Sequence, residues 1–466
     1  MTNRNLNEMF VTLSEYKHEK EFANGISQFI DLAAERGSIE HIERGIDILS
    51  DWMPRLKSQK NKTCCHFFLA NAWGDKRNLN RVAEREIGGW DWEQTEIENE
   101  ILNLRLADKY FNPNHHTSDI WYRINTNLAN IHDTLGRPIK ALYHWNKVIK
   151  SKRKFGMALA NKGNCLIYHG KYSIANENFR RFYLQVGYRD LKEGSQYQVD
   201  SGAKQIYVKR INDFENNYLK VLETPISIPI TKTKLDDNYV QWCLTETLFL
   251  NSILDIESYP YAIYDNISAD LKDEELNNFF IQIKEEFRLA RSFFFQANGI
   301  KLQSYEFNSG VEYKKIAFRI LYSLFDKIGY LINTYYTLGI PNKKVDFHSL
   351  WYLEQKKANG LREDFINNKN LFLRGIYWIS KDLFHNTNGF KDNLSPDAKD
   401  IDTLRHYLEH RSFQIGETSK PKFTYSITES EFDDKILSLL RLTRECIMYF
   451  IYSVNWQKKH LNKHEI

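Results

Sequence analysis

Apolar residues recur at intervals of three and four along most of the chain, the spacing of helices with one buried stripe. Phe29, Ile30, Leu32, Ala33, Ile39, Ile42, Ile46, Ile48 and Leu49 carry it between Gln28 and Met53. It continues over Cys65–Trp73 and, with more charge, over Arg81–Ile87, then breaks at the turn Gly88-Gly89-Trp90-Asp91. Further on, Val240–Glu257 reads as a buried helix. Asp273–Ala297 places Phe279, Phe280, Ile283, Phe287, Ala290 and Phe294 on one side, and Gly310–Tyr336 is the longest amphipathic run. Leu338–Lys369 is less regular and contains the turn Gly339-Ile340-Pro341-Asn342. Leu371–Leu383 and Glu429–Gln457 read as helices, and Lys420–Ser426 as loop or short strand. Ser395-Pro396-Asp397 predicts a helix start, with an N-cap serine, proline in the first turn and an early carboxylate. The expected class is all-α.

One stretch interrupts the helical pattern. Thr224-Pro225-Ile226-Ser227-Ile228-Pro229-Ile230 sets β-branched residues between two prolines, which favours extended backbone. The expected organisation is a helical domain over residues 1–223, a linker over 224–236 and a helical bundle over 237–466.

The N-terminal half repeats itself. Leu128-Ala129-Asn130, Gly136, Ala141 and Trp145 return 34 residues later as Lys162-Gly163-Asn164, Gly170, Ala175 and Phe179. Small residues at Ala129/Gly163 and Ala141/Ala175 would let paired helices approach closely, with glycine at the turn between them and an aromatic filling the gap to the next pair. The pattern resembles the tetratricopeptide (TPR) repeat. It matches well over Tyr122–Gln185, and Ala107 and Phe111 suggest an upstream half-unit. A stable array needs about three or more repeats, so degenerate copies are expected elsewhere in residues 20–215. The resemblance implies a surface that binds a protein, a peptide or nucleic acid, and no chemistry.

Composition narrows the setting. Gly (21) and Pro (9) are scarce among 466 residues, and aromatics reach 14%, which suits packed helix–helix interfaces. A net charge of +4 neither demands nor excludes a nucleic-acid partner. The basic runs Lys57–Lys62, Lys150–Lys154 and Lys458–Lys463 read as solvated helix ends or loops. Five scattered cysteines read as reduced thiols of a cytoplasmic protein, and Cys64-Cys65-His66 lacks a second pair at zinc spacing. No metal or cofactor is expected. Met1–Lys20 has no apolar core of a secretory signal, and no apolar run reaches the roughly 18 residues of a membrane span.

Chemistry concentrates at Leu404-Arg405-His406-Tyr407-Leu408-Glu409-His410-Arg411-Ser412. With Leu404 at zero and about 100° per residue, Ile401, Leu404 and Leu408 share a stripe roughly 60° wide. Arg405, Glu409, Asp402, His406 and His410 occupy the next arc, from about 100° to 240°. One side of this helix suits a core. The other carries a guanidinium, two imidazoles and two carboxylates.

Arginine, a polar residue, three more and histidine, placed ahead of a final long helix and behind a repeat array, resembles the HEPN superfamily of helical bundles. The segments Lys315–Lys327 and Leu373–Trp378 look like a bacterial branch in which such a domain follows helical repeats. The resemblance covers roughly residues 235–466. It implies metal-independent RNA cleavage, in which the ribose 2′-hydroxyl attacks the adjacent phosphodiester and leaves a 2′,3′-cyclic phosphate and a 5′-hydroxyl. His410 would then be the general acid/base, histidine's unperturbed pKa being about 6.5. Arg405 would clamp the phosphoryl oxygens. His406 would orient substrate or share the proton work, and Glu409 or Asp402 would pair with Arg405 at rest. The resemblance also implies a symmetric homodimer through the C-terminal domain. Ser412 stands where HEPN toxins controlled by a nucleotidyltransferase carry a tyrosine, so control is expected from the repeat half.

The expected function is a regulated endoribonuclease, a toxin or antiphage defence effector acting on RNA, whose repeat domain senses a protein or peptide trigger. The alternative is a non-enzymatic TPR-type interaction protein whose bundle dimerises or holds RNA or a nucleotide without cutting. For Arg405, Glu409, His406 and His410 the plain alternative is a solvated helix face with one ion pair.

Overall fold

The computed structural model describes residues 5–83, 91–152, 154–197, 201–224, 237–256, 264–268, 270–271, 273–299, 309–384, 398–415 and 424–461. These residues form seventeen α-helices and two four-residue strands, so the protein is all-α as expected. No helix among them is long and apolar enough to cross a membrane. The chain divides into two compact units, one of Met1–Thr134 and Tyr143–Ala158, the other of Leu135–Leu142 and Leu159–Ile466. Of the expected linker, residues 225–236 lie outside the described residues.

The first unit holds α1 (Leu6–Glu15), α2 (Glu19–Glu35), α3 (Ile39–Trp52), α4 (Gln59–Ala83), α5 (Thr95–Tyr110), α6 (Ser118–Thr134) and the later part of α7 (Pro138–Ser151). The stripe read from Gln28 to Met53 is two helices rather than one run. Ser38 caps the second, its hydroxyl accepting from the His41 N–H. Phe22, Ile26, Phe29 and Ile30 of α2 meet Ile42, Ile46, Leu49 and Trp52 of α3 in one core, with Phe22 and Trp52 stacked at 4.4 Å. Each such burial is worth about 1.5–3 kcal/mol, so tertiary packing rather than helix propensity holds these short helices. The turn expected at Gly88–Asp91 falls mostly outside the described residues.

The second unit contains α8 (Gly156–Tyr172) from Leu159 onward, α9 (Glu177–Tyr197), α10 (Ser201–Glu223), α11 (Asn238–Thr245), α12 (Glu274–Gly299), α13 (Ser309–Tyr335), α14 (Glu363–Ile366), α15 (Leu371–Leu383), α16 (Ala398–His410), β1 (Ser412–Ile415), β2 (Thr424–Ile427) and α17 (Glu429–Leu461). At Gly163 the close approach expected of the repeat is present, because a Cβ there would lie 2.4 Å from the Leu191 nitrogen. The rest of that repeat departs from its register. Gly170 lies inside α8, Ala175 is exposed ahead of α9 and Phe179 is only half-buried, while Leu184 and Leu191 fill the core instead. Gly136, by contrast, makes a true turn between α6 and α7 at φ +78°.

That turn belongs to the second unit and is set deep in it. A Cβ on Gly136 would fall 1.8 Å from the Leu371 carbonyl oxygen, which leaves glycine as the residue that fits. Beside it, the fully buried Arg137 donates to Asp382 of α15 and, at 3.1 Å, to Glu445 of α17.

Helix α17 is the axis of this unit. A capping box starts it, Thr428 Oγ1 accepting from the Glu431 N–H at 3.2 Å while Glu431 accepts from the Thr428 N–H at 3.1 Å. From Cys446 to Tyr452 every residue is buried, so this stretch is apolar all round and packed on every side.

The helix expected over Val240–Glu257 stops at Thr245. Residues 246–256 continue as buried turns, with Thr247 at φ +56° and Leu248, Phe249, Leu250, Ile253, Leu254 and Ile256 in the core. Side chains take over the backbone groups that a helix would have paired internally. Arg444 of α17 donates to the Phe249 oxygen at 2.7 Å and the Asn251 oxygen at 3.3 Å, and holds Asp255 through two bonds of 2.9 and 2.8 Å. Arg291 of α12 donates to the Leu248 oxygen at 2.8 Å and binds Asp265, which accepts from the Leu250 N–H at 2.7 Å. Apolarity foretold burial here; the backbone it came with was set by two distant arginines.

Candidate active site

Helix α16 seats the candidate residues. Ile401, Leu404 and Leu408 are buried at 1%, 0% and 7% exposure, so the apolar stripe points inward as the spacing predicts. Its helix start expected at Ser395–Asp397 lies outside the described residues, and so does the Asp402 side chain. The far end is fastened by Arg319 of α13, which donates to the Leu408 oxygen at 2.6 Å. A guanidinium at a helix C-terminus meets both a free carbonyl and the negative end of the dipole. Asp326, seven residues along α13, accepts from the Phe347 N–H at 3.1 Å, so Arg319 and Asp326 take separate partners.

The opposite face is the polar one. Arg405 lies over the ring of Tyr322, 4.7 Å from its centroid, and its side chain is 40% exposed. Its Nε stands 3.5 Å from Glu409 Oε2 one turn on, so Glu409 is the resting partner among the described residues. Burial opposes the charge of Arg405, but Tyr322, Glu409 and Asp326 together outweigh it and raise the guanidinium above its ordinary range. His410 is 64% exposed, with Nε2 3.6 Å from the same Glu409 oxygen. The rings of His406 and His410 are 5.6 Å apart, tilted by 58°. Glu409 thus lies between the arginine and the second histidine, and Arg405, His406 and His410 all open to one side of the helix.

Tyr322 seats Arg405 without belonging to any chemical motif of the sequence. At helical spacing from Phe318 and Phe325, it lies among the core residues of α13 and is itself buried. It sits within Lys315–Lys327, one of the segments that carried the family resemblance, which was the available signal. Elsewhere among the described residues, His348 packs on Phe384 with centroids 4.8 Å apart, and His66 hydrogen-bonds Asn103 at 2.9 Å.

A half-exposed arginine seated on an aromatic ring, with two histidines on the same helix, is an arrangement with the chemistry to bind an anion and carry protons. This is a helical bundle presenting a polar face from the helix before its last. Residues 267–457 match the family model of the LA2681-like HEPN domains. The match spans most of α12 to α17, takes in Arg405–His410 and supports a HEPN domain in the C-terminal part of the chain. No curated protein and no solved structure matches the chain.

Proposed function

We propose that the protein is a metal-independent endoribonuclease whose HEPN-type domain cleaves RNA through 2′-hydroxyl attack. The observation that carries this reading is the shared outward face of α16, where Arg405 is held on Tyr322 beside His406 and His410. In the reaction one imidazole accepts the 2′-hydroxyl proton as that oxygen bonds to phosphorus. The bond from phosphorus to the 5′-oxygen breaks, and the leaving oxygen takes a proton from a second imidazole. His410 is the first choice for general acid/base and His406 its helper. Arg405 neutralises the charge that grows on the non-bridging oxygens, a role its forked, permanently charged donors suit. It must first leave Glu409, and substrate phosphate is the stronger competitor for a bidentate donor.

Because the polar face of α16 is exposed, a second copy of the domain across a two-fold axis would supply another Arg405, His406 and His410 opposite the first set. In this reading the helical pairs of residues 1–223 receive a protein or peptide trigger, and the whole acts as a toxin or antiphage defence effector. A non-catalytic role, in which the domain dimerises or holds RNA, is favoured by one observation, the occupation of Arg405 by Glu409. Incubating purified protein with RNA in EDTA separates the two. The nuclease reading expects 2′,3′-cyclic phosphate ends from wild type and their loss in His410→Ala and Arg405→Ala. Intact RNA with wild type, candidate triggers included, leaves the binding role.

A further inference from the structure

Beside the histidines runs a line of aromatic rings that the cleavage chemistry does not use. Going around α16, Tyr407 follows His410 on the side away from Arg405, by about 60°. Its ring lies 5.1 Å from that of Tyr425, which stacks on Phe413 at 6.2 Å with planes only 11° apart. Phe413 in turn rests on Phe432, a fully buried residue of α17, at 5.3 Å. Phe413 and Tyr425 are directly paired across β1 and β2, which run parallel. The two short strands therefore hold a ring ladder that starts in the core and ends at the histidine face.

Tyr407, Phe413 and Tyr425 are each half-buried rather than enclosed. Cations border it. Arg411, which is exposed, lies 5.6 Å from the Tyr407 centroid, and Lys315 lies 6.0 Å from that of Phe413. Lys315 is partly offset by Glu312 at 2.8 Å and Arg405 by Glu409, and Arg411 stands where the ladder meets the helix. Flat π faces anchored from beneath, edged by guanidinium and ammonium groups, complement a ligand that is both anionic and rich in unpaired bases. A duplex keeps its bases stacked on one another and offers none to such rings.

We infer that Tyr407, Tyr425 and Phe413 form a base-stacking platform for single-stranded RNA, setting the nucleotides next to the scissile phosphate before Arg405 engages it. The inference rests on the proposed function in taking RNA as the ligand and Arg405 as its phosphate contact. The platform would make the enzyme selective for unpaired RNA and indifferent to most sequence, since every base has a π face.

The test uses full-length protein carrying His410→Ala, so that bound RNA is not consumed, and three labelled probes: a short oligoadenylate, the same strand with abasic positions, and a blunt RNA duplex. Fluorescence anisotropy should show the base-containing strand binding about tenfold more tightly than the abasic one. Adding Tyr407→Ala or Tyr425→Ala should weaken that strand by about tenfold each and erase its advantage over the abasic probe. Tyr407→Phe and Tyr425→Phe should restore both, which a fold defect would not. Equal affinity for base-containing and abasic strands, a preference for the duplex, alanine variants that bind like their background, or no RNA binding would each overturn the platform. Cleavage by the protein with His410 intact is scored separately. Loss of strand binding in the tyrosine variants without cleavage by wild type keeps the platform and removes the nuclease. Cleavage with unaltered affinity does the reverse.

Discussion

Arg444 and Arg405 occupy successive helices of one unit and lead opposite lives. Arg444 is buried in α17, and Asp255 with the Phe249 and Asn251 carbonyls meets its guanidinium on every side. Arg405 rests on Tyr322 at the surface with one carboxylate at 3.5 Å. The histidines divide in the same way. His169 is enclosed by Phe372, Tyr183 and Tyr452, its Nδ1 2.7 Å from the Ser173 hydroxyl, whereas His410 is open to solvent. A cation whose donors are used up by its own chain can build a fold but cannot receive a substrate. One held in place by a ring, with its edge still exposed, can do so.

The sharpest break of this comparison is Arg444→Met. It takes the cationic partner away from the buried Asp255 carboxylate, and should lower the unfolding free energy by about 3–5 kcal/mol in denaturant titrations. Arg405→Ala should leave that titration within about 0.5 kcal/mol while, under the proposed function, cutting the RNA cleavage rate by about 100- to 1000-fold. A melting loss from Arg405→Ala as large as that from Arg444→Met would erase the distinction between the two.

The pH response extends it to histidine. Burial lowers the pKa of His169 from 6.5 to about 3, so the unfolded chain binds a proton that the folded chain refuses throughout that window. Stability tied to His169 is therefore complete above the unfolded value and is lost as pH falls below it, by about 2 kcal/mol at pH 5. Thermal melts from pH 7 to pH 5 should record this limb, and His169→Gln should flatten it. The smallest effect is expected from Tyr322→Leu, which keeps the helix packed but removes the π face beneath Arg405. A cation–π contact at a partly exposed site is worth about 0.5–1 kcal/mol, so cleavage should fall about two- to fivefold, read in single-turnover assays. No change would mean that Glu409 alone orients the guanidinium.

Much of this could be read beforehand. Leu371–Leu383 and the start of the last helix at Glu429 coincide with the observed elements, and the stripe Ile401/Leu404/Leu408 did decide which side of α16 is buried. These are local properties, since a helix carries its period in its own residues. Reading failed where partners are remote. The supposed helix over Val240–Glu257 gave way to turns because Arg291 and Arg444 capture its carbonyls. The second repeat lost register after Gly163 because α9 begins at Glu177, past Ala175.

The candidate site divides along the same line. From the amino-acid order alone came an all-α protein, a helix at the motif, its inward stripe and the grouping of Arg405, His406, Glu409 and His410 on the other side, because all of these follow from angles around one helix. Tertiary structure alone decided that Arg405 would lie on Tyr322, that Arg319 would fasten the helix end at Leu408, and that Phe413 and Tyr425 would align beside Tyr407. Each of those contacts joins separate elements. Their positions relative to one another depend on how the whole core closes, which no short window of sequence records.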